Sequence, residues 1–172
     1  MARRAMSLFL LLFTLALVGC DHATKVAARA ALGHRGPLPL LPGFLDLHYA
    51  ENRDVAFSLL RTLPLPGKGA LVIAGSVIGL TAVLFAWWRR RRASSVEQAA
   101  YALLVAGAVG NALDRIIRGY VVDFIEIHHW PIFNVADAAI VAGVALLAIA
   151  ALRRPPAAPT GPEGVGGVPP PS

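Results

Sequence analysis

One cysteine in 172 residues excludes an intrachain disulfide and a cysteine-based zinc cluster. Charge is scarce too: 15% of residues are Asp, Glu, Lys or Arg, against about 25% in an ordinary soluble domain. With 56% apolar residues and a mean hydropathy of +0.62, that shortage excludes both a typical soluble domain and a disordered chain. The net charge of +6 would fit a nucleic-acid partner, but aromatics are few, at 8%, and no zinc-finger spacing is present. The basic residues flank apolar runs instead of forming one stripe, so no nucleic-acid partner is expected. What remains is a membrane protein, of a length that fits one domain.

A bilayer core of roughly 30 Å takes about 20 helical residues to cross. Gly69 to Trp88 is apolar apart from Ser76 and Thr81; Val96 to Leu113 apart from Glu97, Gln98 and Asn111; Phe133 to Leu152 apart from Asn134 and Asp137. The first apolar run, Ser7 to Cys20, has only 14 residues, the length of a signal-peptide core. It spans only if its helix continues through Asp21, Thr24 and Lys25 into the Ala-rich stretch Val26 to Leu32.

Charge placement favours that continuation. Arg3, Arg4, Arg89 to Arg92, Arg153 and Arg154 fall on one side of a four-span chain, with Glu97 and Glu163 as the only acids there. That side then carries the whole net charge and is expected to be cytoplasmic, with both termini. Trp87 and Trp88 sit beside the arginine run, as in an interfacial belt. The outer side receives two connections, Gly33 to Lys68 and Asp114 to Ile132. Phe44 to Tyr49 and Val121 to Ile127 read as short strands, the first bounded by turn signals at Pro42-Gly43 and Pro66-Gly67. Residues 1–154 form the four-span domain; residues 155–172, with seven prolines and four glycines, read as a disordered tail.

Polar groups near a span are costly and mark functional sites. Here they gather at the outer boundary. Asp21 and Lys25 end span one; Asn111, Asp114 and Arg115 end span three; Asn134 and Asp137 begin span four. Asp123 and Asn52 lie in the connections. No Ser-His or Cys-His pattern accompanies them, so two carboxylates point to acid–base chemistry on water. Two neighbouring carboxylates do not both ionise readily. The ionised one takes a proton from water attacking a peptide carbonyl, and the protonated one stabilises the oxyanion. Neither metal nor cofactor is required. Asp123 and Asp137 are 14 residues apart, within reach of each other through one loop reversal.

These residues stand in Asp-His-Ala-Thr-Lys (21–25), Glu-Asn-Arg-Asp-Val-Ala-Phe-Ser (51–58), Gly-Asn-Ala-Leu-Asp-Arg (110–115), Val-Val-Asp-Phe (121–124) and Phe-Asn-Val-Ala-Asp (133–137). Each motif alone is weak. In this order, over Asp21 to Ile140, the chain resembles the bacterial lipoprotein signal peptidases, the signal peptidase II family. The resemblance implies an all-α membrane protein: four transmembrane helices, a small extracytoplasmic β-cradle and a short interfacial helix. It implies an inner-membrane aspartyl endopeptidase, active at the outer face, that cuts prolipoproteins before a diacylglyceryl-modified cysteine. Its catalytic aspartates fall on Asp123 and Asp137, and its supporting polar residues on Asp21, Lys25, Asn52, Asn111, Asp114, Arg115 and Asn134. One departure is clear: the family's Asn-x-Gly-Ala-Ala-Phe is Asn52-Arg53-Asp54-Val55-Ala56-Phe57 here, with Asp54 at the glycine.

Plainer roles compete at several positions. Asp114 pairs with Arg118 four residues on, and Lys25 neutralises Asp21. Arg115 binds a substrate carbonyl or lipid phosphate, or anchors its helix end. Asn52 and Asn111 bind an extended peptide or cap loops; Asn134 and Asp137 read as N-cap and N3 of span four. His128-His129, adjacent on a strand, would point to opposite faces and are expected to be surface residues beside Trp130. Leu17-Val18-Gly19-Cys20 looks like a lipobox, but cleavage there would remove most of span one; Cys20 is expected as a small buried side chain. The alternative functions are a small transporter or proton relay and a lipoprotein cut before Cys20. A monomer with prolipoprotein and membrane lipid as partners is expected.

Overall fold

A computed structural model describes residues 2–53 and 68–153. The elements are α1 (Ala2–Leu32), β1 (Leu38–Leu41), β2 (Leu45–Asn52), α2 (Lys68–Arg89), α3 (Ser95–Arg118), β3 (Val121–Ile127) and α4 (Val135–Leu152). The four helices are long and apolar enough to cross a membrane. The chain runs without a break through Asp21 and Lys25, so the first apolar run is the start of a 31-residue helix, about 46 Å long at 1.5 Å per residue. The helix exceeds a bilayer core, and its last turns carry the sheet.

α3 is the central helix. Over its most apolar stretch 56% of residues are buried, against 6% in α2 and 17% in each of α1 and α4. α1, α2 and α4 pack around it. The outward sides carry exposed Leu8, Phe9, Leu12, Ile78, Phe85, Val141 and Val144. A hydrophobic face of that extent is one that lipid covers. Close helix approach comes from small residues, as in membrane bundles generally. A Cβ at Gly107 of α3 would collide with the Ala136 carbonyl of α4, and one at Gly110 would lie 2.7 Å from Asp21 Oδ2.

Helix ends are locally specified. Ser94 caps α3, its hydroxyl accepting from Glu97 N–H at 3.3 Å. Gly119 ends α3 in the left-handed region, φ 78°, its N–H donating to the Arg115 carbonyl. α3 thus runs on to Arg118, so Asp114 sits on the helix and not in the following connection. Between α2 and α3, Gln98 accepts from Trp87 Nε1 at 2.6 Å and donates to the Arg90 carbonyl at 2.7 Å.

The sheet is antiparallel, in the order β1-β2-β3. Leu45 faces Ile127 and Asn52 faces Val121, with an irregularity between Leu47 and Ala50. β1 was not expected: Leu-Pro-Leu-Leu hides a strand, and Pro39 is tolerated because β1 is an edge. β3 has the expected bounds, and β2 runs three residues past the expected Phe44 to Tyr49, so that Asn52 lies on the strand and not in the connection. Val122 and Phe124 pack on Ala28 and Leu32 at the end of α1. Period-two alternation turns Asp123 to the opposite face of β3.

Two expectations are corrected. His128 and His129 lie on the turn after β3 and not on a strand, and His129 has φ 68°. Cys20 is exposed, not buried: Asp21 takes the inward position, and one residue is a 100° rotation on a helix. The interfacial helix has no counterpart among the described residues, and Asp54, Pro66-Gly67 and the tail lie outside them.

Replacing Gly107 with Val should lower stability by about 1–3 kcal/mol, by forcing α3 and α4 apart. Thermal unfolding in detergent reads this; an unchanged midpoint would contradict the packing.

Candidate active site

The loop from β3 to α4 folds back on itself. Phe133 N–H donates to the Ile125 carbonyl at 3.0 Å, and its own carbonyl accepts from Ile125 N–H at 2.9 Å. This isolated bridge sets Asn134 beside β3. Asn134 then opens α4 with a capping box: its Oδ1 accepts from Asp137 N–H at 2.9 Å, and Asp137 Oδ2 accepts from Asn134 N–H at 3.3 Å. The expected N-cap and N3 roles are both present.

Asn134 joins the two carboxylates. Its Nδ2 donates to Asp123 Oδ1 at 2.7 Å, while its backbone N–H serves Asp137. Asp123 Oδ2 accepts from Asn52 Nδ2 at 2.9 Å, and Asp137 Oδ1 accepts from Asn111 Nδ2 at 2.7 Å. Each carboxylate is therefore held through both oxygens by amides. Asn52 is placed by the pairing of β2 with β3, opposite Val121; beside it Arg53 pairs with Glu51 at 3.0 Å and lies over the Tyr120 ring, 5.5 Å from its centroid.

A buried ionic cluster lies behind the amides. Lys25 is 0% exposed, and its ammonium reaches Asp21 at 2.8 Å, Asp114 at 3.0 Å and Asn111 Oδ1 at 3.1 Å. Asn111 Oδ1 also accepts from Asn134 Nδ2 at 3.2 Å. With two donors on that oxygen, the Asn111 amide has one orientation, NH2 toward Asp137. Asp21 also accepts from Ala136 N–H at 2.9 Å, so α1 caps the N-terminus of α4. Asp114 pairs with Arg118 as expected and also accepts from Val122 N–H at 3.4 Å. Arg115 donates to the Asn111 carbonyl at 3.4 Å and lies within electrostatic reach of Asp123 and Asp137.

All nine expected polar residues thus converge. Lys25 does more than neutralise Asp21, and the cap that Asp21 gives to α4 went unforeseen. Also unforeseen was α2. Ser76, Leu80 and Val83 line a cleft of about 380 Å³ that Asn52, Asn111, Arg115 and Asp137 share. α2 carries no charge along its apolar core, so nothing in it signalled a site. A larger cavity of about 590 Å³ lies on the other side of α4, with Asp137 at its edge among Phe133, Trp130, Val141 and Ala145. The smaller cleft has four of the convergent polar residues on its wall and is the chemically meaningful one.

Burial pushes the Asp123 carboxyl up to about 6; the nearby Asp137 charge adds to this, while the bonds from Asn52 and Asn134 and the Lys25 charge oppose it. A carboxyl pair of this kind holds one proton across a pH range in which isolated carboxylates have lost theirs.

The fold and site define a class: a multi-pass membrane protein with an aspartate–asparagine centre at one end of its helices. The family model for signal peptidase (SPase) II matches residues 13–153. The lipoprotein signal peptidase of Thermodesulfovibrio yellowstonii is 37% identical over 156 residues, covering 88% of this chain and 96% of its own. That of Acinetobacter baumannii is 41% identical over 135 residues, 75% of this chain and 74% of its own. A bacterial membrane enzyme solved in meso at 1.9 Å superposes with a TM-score of 0.75 at 30% identity, covering 84% of this chain and 93% of that one. The chain belongs to the signal peptidase II family, a family of bacterial membrane proteases.

The raised value at Asp123 has a stability signature with a definite sign. Between the ordinary 3.8 and about 6 the folded chain holds a proton that the unfolded chain has released. The contribution is complete below 3.8 and is lost as pH rises through 6. The stability of the wild type relative to Asp123→Leu, from thermal unfolding in detergent, should fall across that window and level off above it. The opposite slope would refute the assignment.

Proposed function

We propose that this chain is an intramembrane aspartyl endopeptidase that removes signal peptides from prolipoproteins, with Asp123 and Asp137 as its catalytic residues. The observation that carries this reading is Asn134, one buried residue hydrogen-bonded to both carboxylates, of which Asp137 lines a cleft between helices. The substrate class comes from family membership.

In this reading the ionised member of the pair takes a proton from water as the oxygen attacks the scissile carbonyl. The protonated member donates to the developing oxyanion, then passes its proton to the leaving amine. Asn52, Asn111 and Asn134 hold the carboxylates in place, which fixes the attack geometry. Arg115, at the same cleft, binds a backbone carbonyl of the peptide. The substrate enters sideways from the bilayer, its lipid chains beside the helices, and the bond to be cut is the one before the diacylglyceryl-modified cysteine. Charge placement along the sequence supports a centre at the outer face of the inner membrane, with both termini cytoplasmic.

Two other readings lose ground. A proton relay places its carboxylates near mid-bilayer, whereas Asp123 is on the sheet and Asp137 in the first turn of α4. Cleavage before Cys20 would leave the chain starting one residue before Asp21, which caps α4.

Asp123→Asn and Asp137→Asn should each reduce cleavage of a diacylglyceryl-modified prolipoprotein in liposomes by at least about 100-fold, the low end for acid–base catalysis. The thermal midpoint of each variant in detergent reports folding. A folded variant of either kind that cuts at the normal rate would overturn the proposal.

A further inference from the structure

A second polar pocket, of about 400 Å³, lies away from the carboxylates. It is lined by Val26, Arg29, Ala30, His34 and Arg118. The last turns of α1 and α3 and the turn after α1 build it, at the sheet end of the helices. We propose that this pocket binds the phosphate of an anionic phospholipid headgroup.

Charge balance comes first. The buried carboxylates nearby are Asp21 and Asp114, and they are matched by Lys25 and Arg118. Among the described residues no acid pairs with Arg29 or His34, so the pocket presents a net positive lining. Guanidinium groups match phosphate oxygens in a bidentate fork. The negative ends of two helices draw cations and account for an arginine in each last turn. They do not account for the convergence of both arginines with His34 on one pocket. Charge placement on the chain as a whole deepens the question, because basic residues otherwise gather at the opposite helix ends.

The walls decide between a lipid and a free anion. Val26, which lines the pocket, is 48% exposed, and Ile117, next to Arg118 along α3, is 70% exposed. Both are exposed apolar side chains on helices long enough to cross a membrane. A diacyl phospholipid with its phosphate between the arginines lays its chains on these residues, which inorganic phosphate leaves bare.

The test uses the full chain in neutral detergent, titrated with short-chain phosphatidylglycerol or phosphatidylcholine and read by native mass spectrometry. Phosphatidylglycerol should bind more tightly than phosphatidylcholine. Arg29→Gln should weaken phosphatidylglycerol at least about fivefold, as expected for the loss of a hydrogen bond to a charged group. His34→Gln, outside the helices, should weaken it as well, and Arg91→Gln at the other end should not. Equal binding of the two lipids, or unchanged binding in Arg29→Gln and His34→Gln, would overturn the proposal. So would inorganic phosphate competing fully while the lipid shows no preference. Thermal midpoints report folding of the variants, and His34→Gln decides the matter if Arg29→Gln does not fold.

Discussion

A lysine ammonium with no exposure to solvent is the constraint on which the rest of this structure depends. Burying a lone cation costs several kcal/mol even after relaxation. Lys25 is therefore tolerable only where Asp21, Asp114 and Asn111 all reach it. Those partners sit on α1 and α3, so the requirement fixes the rotation and depth of one helix against the other. Asp21 extends the constraint to α4 by capping Ala136. Apolar helices in lipid slide past one another with little to set their register; a buried ion cluster at one end sets it.

The geometry of the carboxylate pair follows from that frame. Asn111 is turned by Lys25 and presents its NH2 to Asp137. Asn134, the N-cap of α4, holds Asp137 through the backbone and Asp123 through the side chain. The sheet contributes Asp123 and Asn52 from adjacent strands, anchored by Val122 and Phe124 on the end of α1. The pair of carboxylates is thus the meeting point of two structures, a helix bundle and a sheet. One amide nitrogen from each of Asn52, Asn111 and Asn134 donates to the pair.

Much of this was legible before any coordinates, for physical reasons. Bilayer thickness sets span length, and the basic residues flank the spans, so the four helices could be counted. The capping box at Asn134 and Asp137 involves residues three apart, and such local rules survive in sequence. The strand of Asp123 was visible as Val121 to Ile127, whereas the expected Phe44 to Tyr49 stopped short of Asn52, which ends β2. What stayed hidden was non-local. Lys25 and Asp114 are far apart along the chain, and no spacing rule joins them. The Phe133–Ile125 bridge brings Asn134 to Asp123, but a tight turn gives no sign of where it will pair. Cys20 was misplaced because one residue on a helix separates an inward from an outward face. Neither β1, with its proline, nor the wall that α2 lends to the cleft had any polar signal to reveal it.

The central claim is that two buried carboxylates share one proton in the working enzyme. The pH dependence of kcat/KM for prolipoprotein cleavage, measured on the wild type in liposomes, tests it most directly. The account predicts a bell, with activity lost on the acid side when both carboxyls are protonated and on the alkaline side when both are ionised. A profile that is flat, or that climbs with no alkaline limb, would contradict it.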